Sequence, residues 1–354
     1  MQIIKELSDI ALPITEPEYR QMPELSYSTL SSYERVGYDG LDHLFDKVES
    51  PSLTLGSVVD TIITGGEDEF NANYKVVDII LTDSGKDICK NLIEKYPDYE
   101  YFEGIPEDIV SNVAKETGFW KADKWDKKRY EEVLKTGNIA DYYDVLKHNE
   151  KIIIDTDTYN DAVAMARVLR ESDATRSYFA DNDEWSPIRR YYQLKFKAKF
   201  RKVGYRCMAD LIVVNYEKKK IFPIDLKTSS HTEWNFEESF VKWSYMIQAR
   251  LYWRIIKANL YNDPYFKDFE LENYKFIVVN KKTLTPLVWE FPLTQSMGTL
   301  VDNRGNRYRD PFEIGEELRG YLDAKPQVPK GINKDGVNTI TCLKALGDWE
   351  VTNR

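Results

Sequence analysis

The sequence has few cysteines and no long apolar run. Its three cysteines, Cys89, Cys207 and Cys342, are far apart, which excludes a disulfide framework and a four-cysteine iron–sulfur centre. No apolar stretch approaches the roughly 20 residues that cross a bilayer. The N-terminal residues also lack a basic segment followed by an apolar core. The sequence therefore predicts a cytoplasmic protein with no membrane partner.

Basic residues are outnumbered by acidic ones, and the net charge of −10 argues on average against a nucleic-acid partner. Residues 189–202 are the exception, with seven basic side chains and no acidic one. Apolar and basic residues alternate here, which indicates an amphipathic strand. Its apolar face would carry Tyr192, Leu194, Phe196, Ala198 and Phe200, and its basic face Lys195, Lys197, Lys199 and Arg201. We expect this basic stripe to bind DNA phosphates; the alternative is a solvated face that protects an edge strand from aggregation.

Two apolar runs at 208–214 and 221–226 are rich in β-branched residues and are separated by a polar loop, which predicts a β-hairpin. Asp210 lies in the first strand and Asp225 in the second. Since side chains alternate along a strand, Asp225 and Lys227 share one face. The sequence thus predicts two carboxylates and an ammonium group on one side of a small sheet.

Two carboxylates on largely apolar strands repel each other and lose solvation, a penalty that a bound cation offsets. Oxygen ligands suit Mg²⁺ or Mn²⁺, with Asp210, Asp225 and the Leu226 carbonyl as candidate ligands. Lys227 could orient or deprotonate a water bound to that metal ion, or stabilise charge on phosphorus. This pattern indicates metal-dependent phosphodiester hydrolysis. The alternative is two solvated aspartates with Lys227 as a surface ion pair.

These residues resemble the PD-(D/E)xK nuclease superfamily, and the surrounding sequence is similar to its RecB and exonuclease VIII branch. Ala209-Asp210 stands where the superfamily has Pro-Asp, and Asp225-Leu226-Lys227 matches D-x-K. Residues 204–210 are similar to the G-x-x-C-x-x-D approach to the first acid. The resemblance implies a restriction-endonuclease-like α/β core, with a central mixed sheet flanked by helices and an α-helical insertion.

Two further elements of that branch are similar to segments of this sequence. Gln248 and Tyr252 match its Q-x-x-x-Y element and lie one helical turn apart. Their predicted role is to hydrogen-bond a phosphate or position Lys227. Gly56 and Asp60 match an upstream G-x-x-x-H/D helix, which makes Asp60 a further candidate metal ligand; the alternative is a solvated helix residue.

One position departs from the branch, which carries a glutamate on the strand before the first aspartate. Gln193 stands on the matching strand and cannot supply a carboxylate, whereas Glu184 lies farther upstream. Either Glu184 substitutes, or the site works with one fewer acid, or the enzyme is impaired. The sequence leaves these alternatives open.

The expected function is therefore a Mg²⁺- or Mn²⁺-dependent deoxyribonuclease. The resemblance implies a sequence-nonspecific exonuclease of 5′→3′ polarity in recombination or phage DNA processing. It also implies a single-strand annealing or recombination partner and a homo-oligomer. The alternatives are an endonuclease, or a catalytically weak nuclease fold that binds DNA or a protein.

The sequence also predicts four segments along the chain. They are an N-terminal helical part (1–66), a mainly helical insertion (67–180), a core (181–325) and a tail (326–354).

Overall fold

The computed structural model describes residues 5–46, 50–229 and 231–323. The chain divides into two compact units, a larger one of Met1–Gly56 with Met165–Arg354 and a smaller one of Ser57–Ala164. The helical insertion expected at 67–180 overlaps the smaller unit over most of its length. The expected tail at 326–354 lies outside the described residues, as does Cys342.

The described chain contains both helices and strands, and two of the strands are longer than the rest. The helices are α1 (Glu16–Gln21), α2 (Tyr27–Val36), α3 (Pro51–Thr64), α4 (Gly66–Asn73), α5 (Asp83–Lys95), α6 (Glu107–Glu116), α7 (Arg129–Leu134), α8 (Ile139–Lys147), α9 (Thr156–Glu171), α10 (Arg176–Phe179), α11 (Phe236–Lys242), α12 (Tyr245–Asn262) and α13 (Pro311–Asp323). The strands are β1 (Tyr74–Val76), β2 (Ile152–Ile154), β3 (Ile188–Phe200), β4 (Val203–Asn215), β5 (Lys220–Thr228), β6 (Glu270–Leu271), β7 (Lys275–Val279), β8 (Leu287–Glu290), β9 (Leu300–Val301) and β10 (Arg307–Tyr308). Across the described ranges, no helix is both long and apolar enough to cross a membrane.

The larger unit is organised around a mixed sheet of strand order β3-β4-β5-β7-β8, with β6 beside β5. β3, β4 and β5 are antiparallel neighbours, β7 runs parallel to β5, and β8 is antiparallel to β7. A two-residue turn joins β3 to β4, and Arg201 in it has φ = +54°. This left-handed conformation matches the twist of a tight hairpin. The predicted central mixed sheet flanked by helices is confirmed.

One face of this sheet packs against α12 through apolar side chains that are almost fully buried. Ile247, Leu251 and Ile255 are at most 2% exposed and join Cys207 and Phe276 in one core. From the sequence alone, the apolar spacing over about 237–257 predicts a single long helix. The structure instead has α11 and α12, because Ser244 between them has φ = +55° and interrupts the helical backbone.

The alternation of side chains along β3 is interrupted at Gln193. Tyr191 and Leu194 both pack against the core, although unbroken alternation would place them on opposite faces. Gln193 has φ = +53°, which is uncommon for a residue other than glycine. The prediction that Tyr192 shares the core face with Leu194 is therefore wrong, since Tyr191 takes that place.

The smaller unit has a core of its own between short amphipathic helices. Ile88 and Leu92 of α5, Val110 of α6 and Tyr143 of α8 are fully buried there. Thr82 caps the start of α5 by accepting a hydrogen bond from the N–H of Gly85. β1 and β2 form a two-stranded parallel sheet.

Candidate active site

The strands β4 and β5 part at the two predicted aspartates. Leu211 and Ile224 form the last pair of their ladder, and the next residue along each strand is Asp210 or Asp225. Beyond this point β5 continues beside β7, whereas β4 pairs with Leu25, whose backbone N–H donates to the Gly204 carbonyl at 3.0 Å. The two carboxylates therefore lie at the fork between the strands.

Asp210 is half-buried, and its carboxylate is held by the neighbouring strand. Its Oδ2 accepts a hydrogen bond from the backbone N–H of Leu226 at 3.0 Å. This bond crosses the fork, where the backbone ladder has ended. The β4–β5 register and the hydrogen bond to Leu226 together place Asp210 beside the Asp225-Leu226-Lys227 sequence.

Asp225 is only 1% exposed and is held by side chains. Gln248 of α12 donates from Nε2 to its Oδ1, and the Lys227 ammonium lies 2.5 Å from its Oδ2. That ion-pair contact lacks hydrogen-bond geometry, so Asp225 Oδ2 and the buried Oε1 of Gln248 have no hydrogen-bond partner in the described structure. The Lys227 ammonium offsets the charge of Asp225 Oδ2, whereas Gln248 Oε1 is left for another donor or a cation.

Lys227 is a cation in this arrangement. Its side chain is 19% exposed, and its ammonium lies 4.6 Å from the centre of the Tyr245 ring. Burial alone would lower the pKa of Lys227, but Asp225, Tyr245 and Asp210 together outweigh burial and raise it. A raised pKa favours the ammonium form, which can orient a water molecule or stabilise negative charge.

Three tyrosines around the cluster were not singled out from the sequence. Tyr245 lies under the Lys227 ammonium, the fully buried Tyr274 has an unpartnered hydroxyl in the described structure, and Tyr27 lies at the start of α2. Burial chiefly raises the pKa of Tyr274, and the nearby charges of Asp225 and Asp210 raise it further. Both carboxylates therefore act on the same buried hydroxyl group.

The residue spacing of α12 carries a signal that could have identified Tyr245. Tyr245, Gln248 and Tyr252 lie three and four residues apart, so they share one face of the helix. Tyr252 is 8% exposed, and burial raises its pKa, with smaller effects from other groups that include Asp225. Ser244, four residues before Gln248, lies before the helix begins, so Tyr245 is the residue one turn before Gln248 on this face.

Gln193 lies level with Asp210, and Glu184 does not. The β3–β4 pairs on either side, Tyr192 with Leu211 and Leu194 with Ala209, place Gln193 opposite Asp210. Glu184 is exposed and precedes the first residue of β3 by four positions. The residue opposite the first aspartate therefore has an amide side chain, and its backbone is in a left-handed conformation.

β3 has one face in the core that α12 covers, and the predicted basic stripe lies on its other face. Phe196, between two of its lysines, is 1% exposed within that core, whereas Lys197 and Lys199 are exposed. Lys195 is half-buried and donates to the Gln193 carbonyl at 3.4 Å. Two members form ion pairs, Lys197 with Glu24 at 3.8 Å and Arg201 with Glu316 at 2.6 Å. DNA binding by the stripe stays a prediction.

Asp60 lies on α3, half-buried, within the smaller unit. Its assignment to a metal site stays a prediction. Gly56, four residues earlier, belongs to the larger unit, where a Cβ atom on it would lie 3.1 Å from Thr228 Oγ1. Glycine therefore permits a close approach of α3 to the end of β5.

The donor set fits a hard cation with few protein ligands. Among the described residues, no group of three or more His, Cys, Asp or Glu side chains could hold a metal ion. Asp210 and Asp225 supply carboxylate oxygens, and Asp225 Oδ2 is a buried atom with no hydrogen-bond donor in the described structure that already pairs with one cation, the Lys227 ammonium. Mg²⁺ commonly binds through one or two carboxylates and keeps several waters.

Comparison with known proteins adds little to this geometry. No protein-family model matches the chain, and no curated protein matches it. One solved structure that is similar to it is a "putative exonuclease" from Eubacterium rectale, with 12% sequence identity, 97% of each chain covered and a TM-score of 0.41. A likeness at this TM-score carries no argument about fold or function.

Proposed function

We propose that the protein is a Mg²⁺- or Mn²⁺-dependent deoxyribonuclease with a PD-(D/E)xK core. The observation that supports this most is the convergence of Asp210, Asp225 and Lys227 where β4 and β5 part. A buried carboxylate such as that of Asp225 is costly as a structural group unless its charge is offset. In a site that binds a metal cation and a phosphate, the negative charge of these carboxylates has a function, because it attracts the cation.

Each residue has a distinct role in this proposal. Asp210, Asp225 and the Leu226 carbonyl would hold the metal ion, which supplies Lewis-acid activation and charge neutralisation at phosphorus. Gln248 orients Asp225 through its Nε2 hydrogen bond. The Lys227 ammonium orients the attacking water and stabilises the charge that builds on the phosphate oxygens. The water oxygen forms a bond to phosphorus and loses a proton to solvent, while the bond to the leaving strand oxygen breaks and that oxygen takes up a proton from solvent to become a hydroxyl group.

The finer assignment rests on sequence resemblance. It favours a sequence-nonspecific exonuclease of 5′→3′ polarity in recombination or phage DNA processing, with a single-strand annealing partner and a homo-oligomeric state. The position of Gln193 opposite Asp210 favours a second candidate. An amide there gives the site one acid fewer, as expected for a nuclease fold that binds DNA but cleaves it weakly.

The test is degradation of linear and circular double-stranded DNA with Mg²⁺, Mn²⁺ or EDTA. We expect linear DNA to be degraded only with the divalent ion, and Asp225→Asn or Lys227→Met to slow this by about a hundred-fold or more. The matched control is Asp323→Asn, which removes an exposed carboxylate of α13. Cleavage that survives EDTA, or that Asp225→Asn leaves unchanged, contradicts the proposal. Discrete fragments from circular DNA indicate an endonuclease.

A further inference from the structure

The junction between α11 and α12 presents an exposed aromatic ring near the candidate site. α11 ends at Lys242 and α12 begins at Tyr245, with Trp243 and Ser244 between them. Trp243 is 43% exposed. Ser244 has φ = +55° and ψ = 42°, a left-handed conformation that is uncommon for a residue other than glycine. Conformations of this kind are concentrated at functional sites.

The backbone of Trp243 is fixed from two sides. Its N–H donates to the Ser239 carbonyl at 3.0 Å, and its carbonyl accepts a hydrogen bond from the Tyr27 hydroxyl at 2.6 Å. Two residues further on, the Tyr245 ring lies 4.6 Å from the Lys227 ammonium. This short segment therefore carries two aromatic rings. The ring of Trp243 is partly exposed to solvent, and the ring of Tyr245 lies against the candidate catalytic lysine, Lys227.

Two cations lie over the ring of the exposed indole. Lys242 Nζ lies 5.0 Å from its ring centre, and Arg35 Cζ of α2 lies 6.0 Å from it. Trp185 and Trp234 are more exposed, at 80% and 67%, but no cation lies over either ring in the described structure. An aromatic face with adjacent positive charge matches a nucleobase joined to phosphates.

We propose that Trp243 is a stacking platform for an unpaired base of the DNA strand that enters the candidate active site. Arg35 and Lys242 then bind the phosphates on either side of that base. The proposal deepens the nuclease function and rests on it, because it specifies a substrate with an unpaired end in preference to a blunt duplex. The contact is independent of sequence, since every base has a π face.

The test measures DNA binding in Ca²⁺ without cleavage. The probes are a labelled duplex with a four-nucleotide dT overhang, the same duplex with a blunt end, and an overhang that carries 2-aminopurine. We expect Trp243→Ala to weaken overhang binding about ten-fold and to change blunt-end binding little. Trp243→Phe should retain most of the affinity, and Trp185→Ala should match the wild type. The 2-aminopurine fluorescence should be quenched on binding to the wild type and not to Trp243→Ala.

The outcomes separate this proposal from the nuclease assignment. Equal losses on both duplexes, or a Trp243→Ala affinity equal to that of Trp185→Ala, overturn the stacking platform while Mg²⁺-dependent cleavage still stands. Overhang-selective binding that depends on Trp243, without cleavage in Mg²⁺, supports the platform and overturns the nuclease. A wild-type protein that binds neither duplex overturns the platform.

Discussion

Asp210 accepts the backbone N–H of Leu226 at 3.0 Å, so a side chain takes the place of a backbone acceptor where the β4–β5 ladder ends. Asp225, one residue earlier on β5, is held instead by Gln248 and Lys227. The first carboxylate is thus fixed by the sheet and the second by α12 and its own strand. A cation between them would link the sheet to the helix.

Metal binding is expected to stabilise the protein through Asp225. A ligand at 100 times its Kd adds about 2.7 kcal/mol to the free energy of unfolding, which raises Tm by several degrees. Asp225→Asn should lose this Mg²⁺-dependent rise in Tm, and Asp323→Asn should keep it. The measurement is thermal unfolding in Mg²⁺ and in Na⁺ of equal ionic strength. An equal rise in Asp225→Asn would exclude Asp225 as a ligand.

The hairpin and the helix residues were predictable because they depend on local patterns. β-branched runs at 208–214 and 221–226 specify β4 and β5, and the spacing of Gln248 and Tyr252 specifies one helix face. The break at Ser244 has no such pattern. Serine is not a typical left-handed residue, and tertiary contacts on both sides of it hold the conformation.

The change of face at Gln193 could not be predicted either, because apolar and polar residues alternate regularly on both sides of it.

The tyrosines of the site were missed for another reason. The chain contains 24 tyrosines, so residue type alone does not distinguish Tyr27 or Tyr274 from the rest. Tyr245 could have been found from its place three residues before Gln248.

Within a strand, alanine usually gives a more stable protein than glycine. The left-handed backbone at Gln193 predicts the opposite order at that position. Gln193→Gly should be more stable than Gln193→Ala by about 1 kcal/mol, because only glycine adopts φ = +53° without strain. Lys195 on the same strand is the matched control, since it has no positive φ and alanine should be more stable there by about 0.5 kcal/mol. The measurement is urea unfolding of the four variants. The same sign at both positions would contradict the conformation of Gln193.

Cys89 predicts a loss of stability at alkaline pH. Burial, with a smaller effect from Asp144, raises the pKa of its thiol from the ordinary 9.0 to about 12. The folded state therefore keeps a proton that the unfolded state releases, so this contribution is fully present below pH 9 and is lost as pH rises toward 12. Urea unfolding of Cys89→Ser and wild type at about pH 8 and about pH 10.5 checks this. We expect the wild type to lose more stability than the variant over that interval.

A thiol reagent gives an independent measurement of the same property. In a Cys342→Ser variant, Cys89 and Cys207 are the remaining thiols, and both are fully buried with a raised pKa. Native protein at about pH 8 should react at least about a hundred-fold more slowly than the same protein in guanidinium. Fast reaction of the folded variant would show that these thiols are accessible.

The basic stripe predicts unequal effects of its members on DNA affinity. Lys199 is exposed and has no ion pair in the described structure, whereas Arg201 is neutralised by both carboxylate oxygens of Glu316 at 2.6 and 2.7 Å. If the stripe binds the DNA backbone, Lys199→Gln should reduce the slope of log Kobs against log salt by about 1. Arg201→Gln should reduce it less, and Glu316→Gln should increase affinity because it releases Arg201. The measurement is a salt titration with a blunt duplex in Ca²⁺. An unchanged slope in Lys199→Gln would leave the stripe as a solvated face of an edge strand.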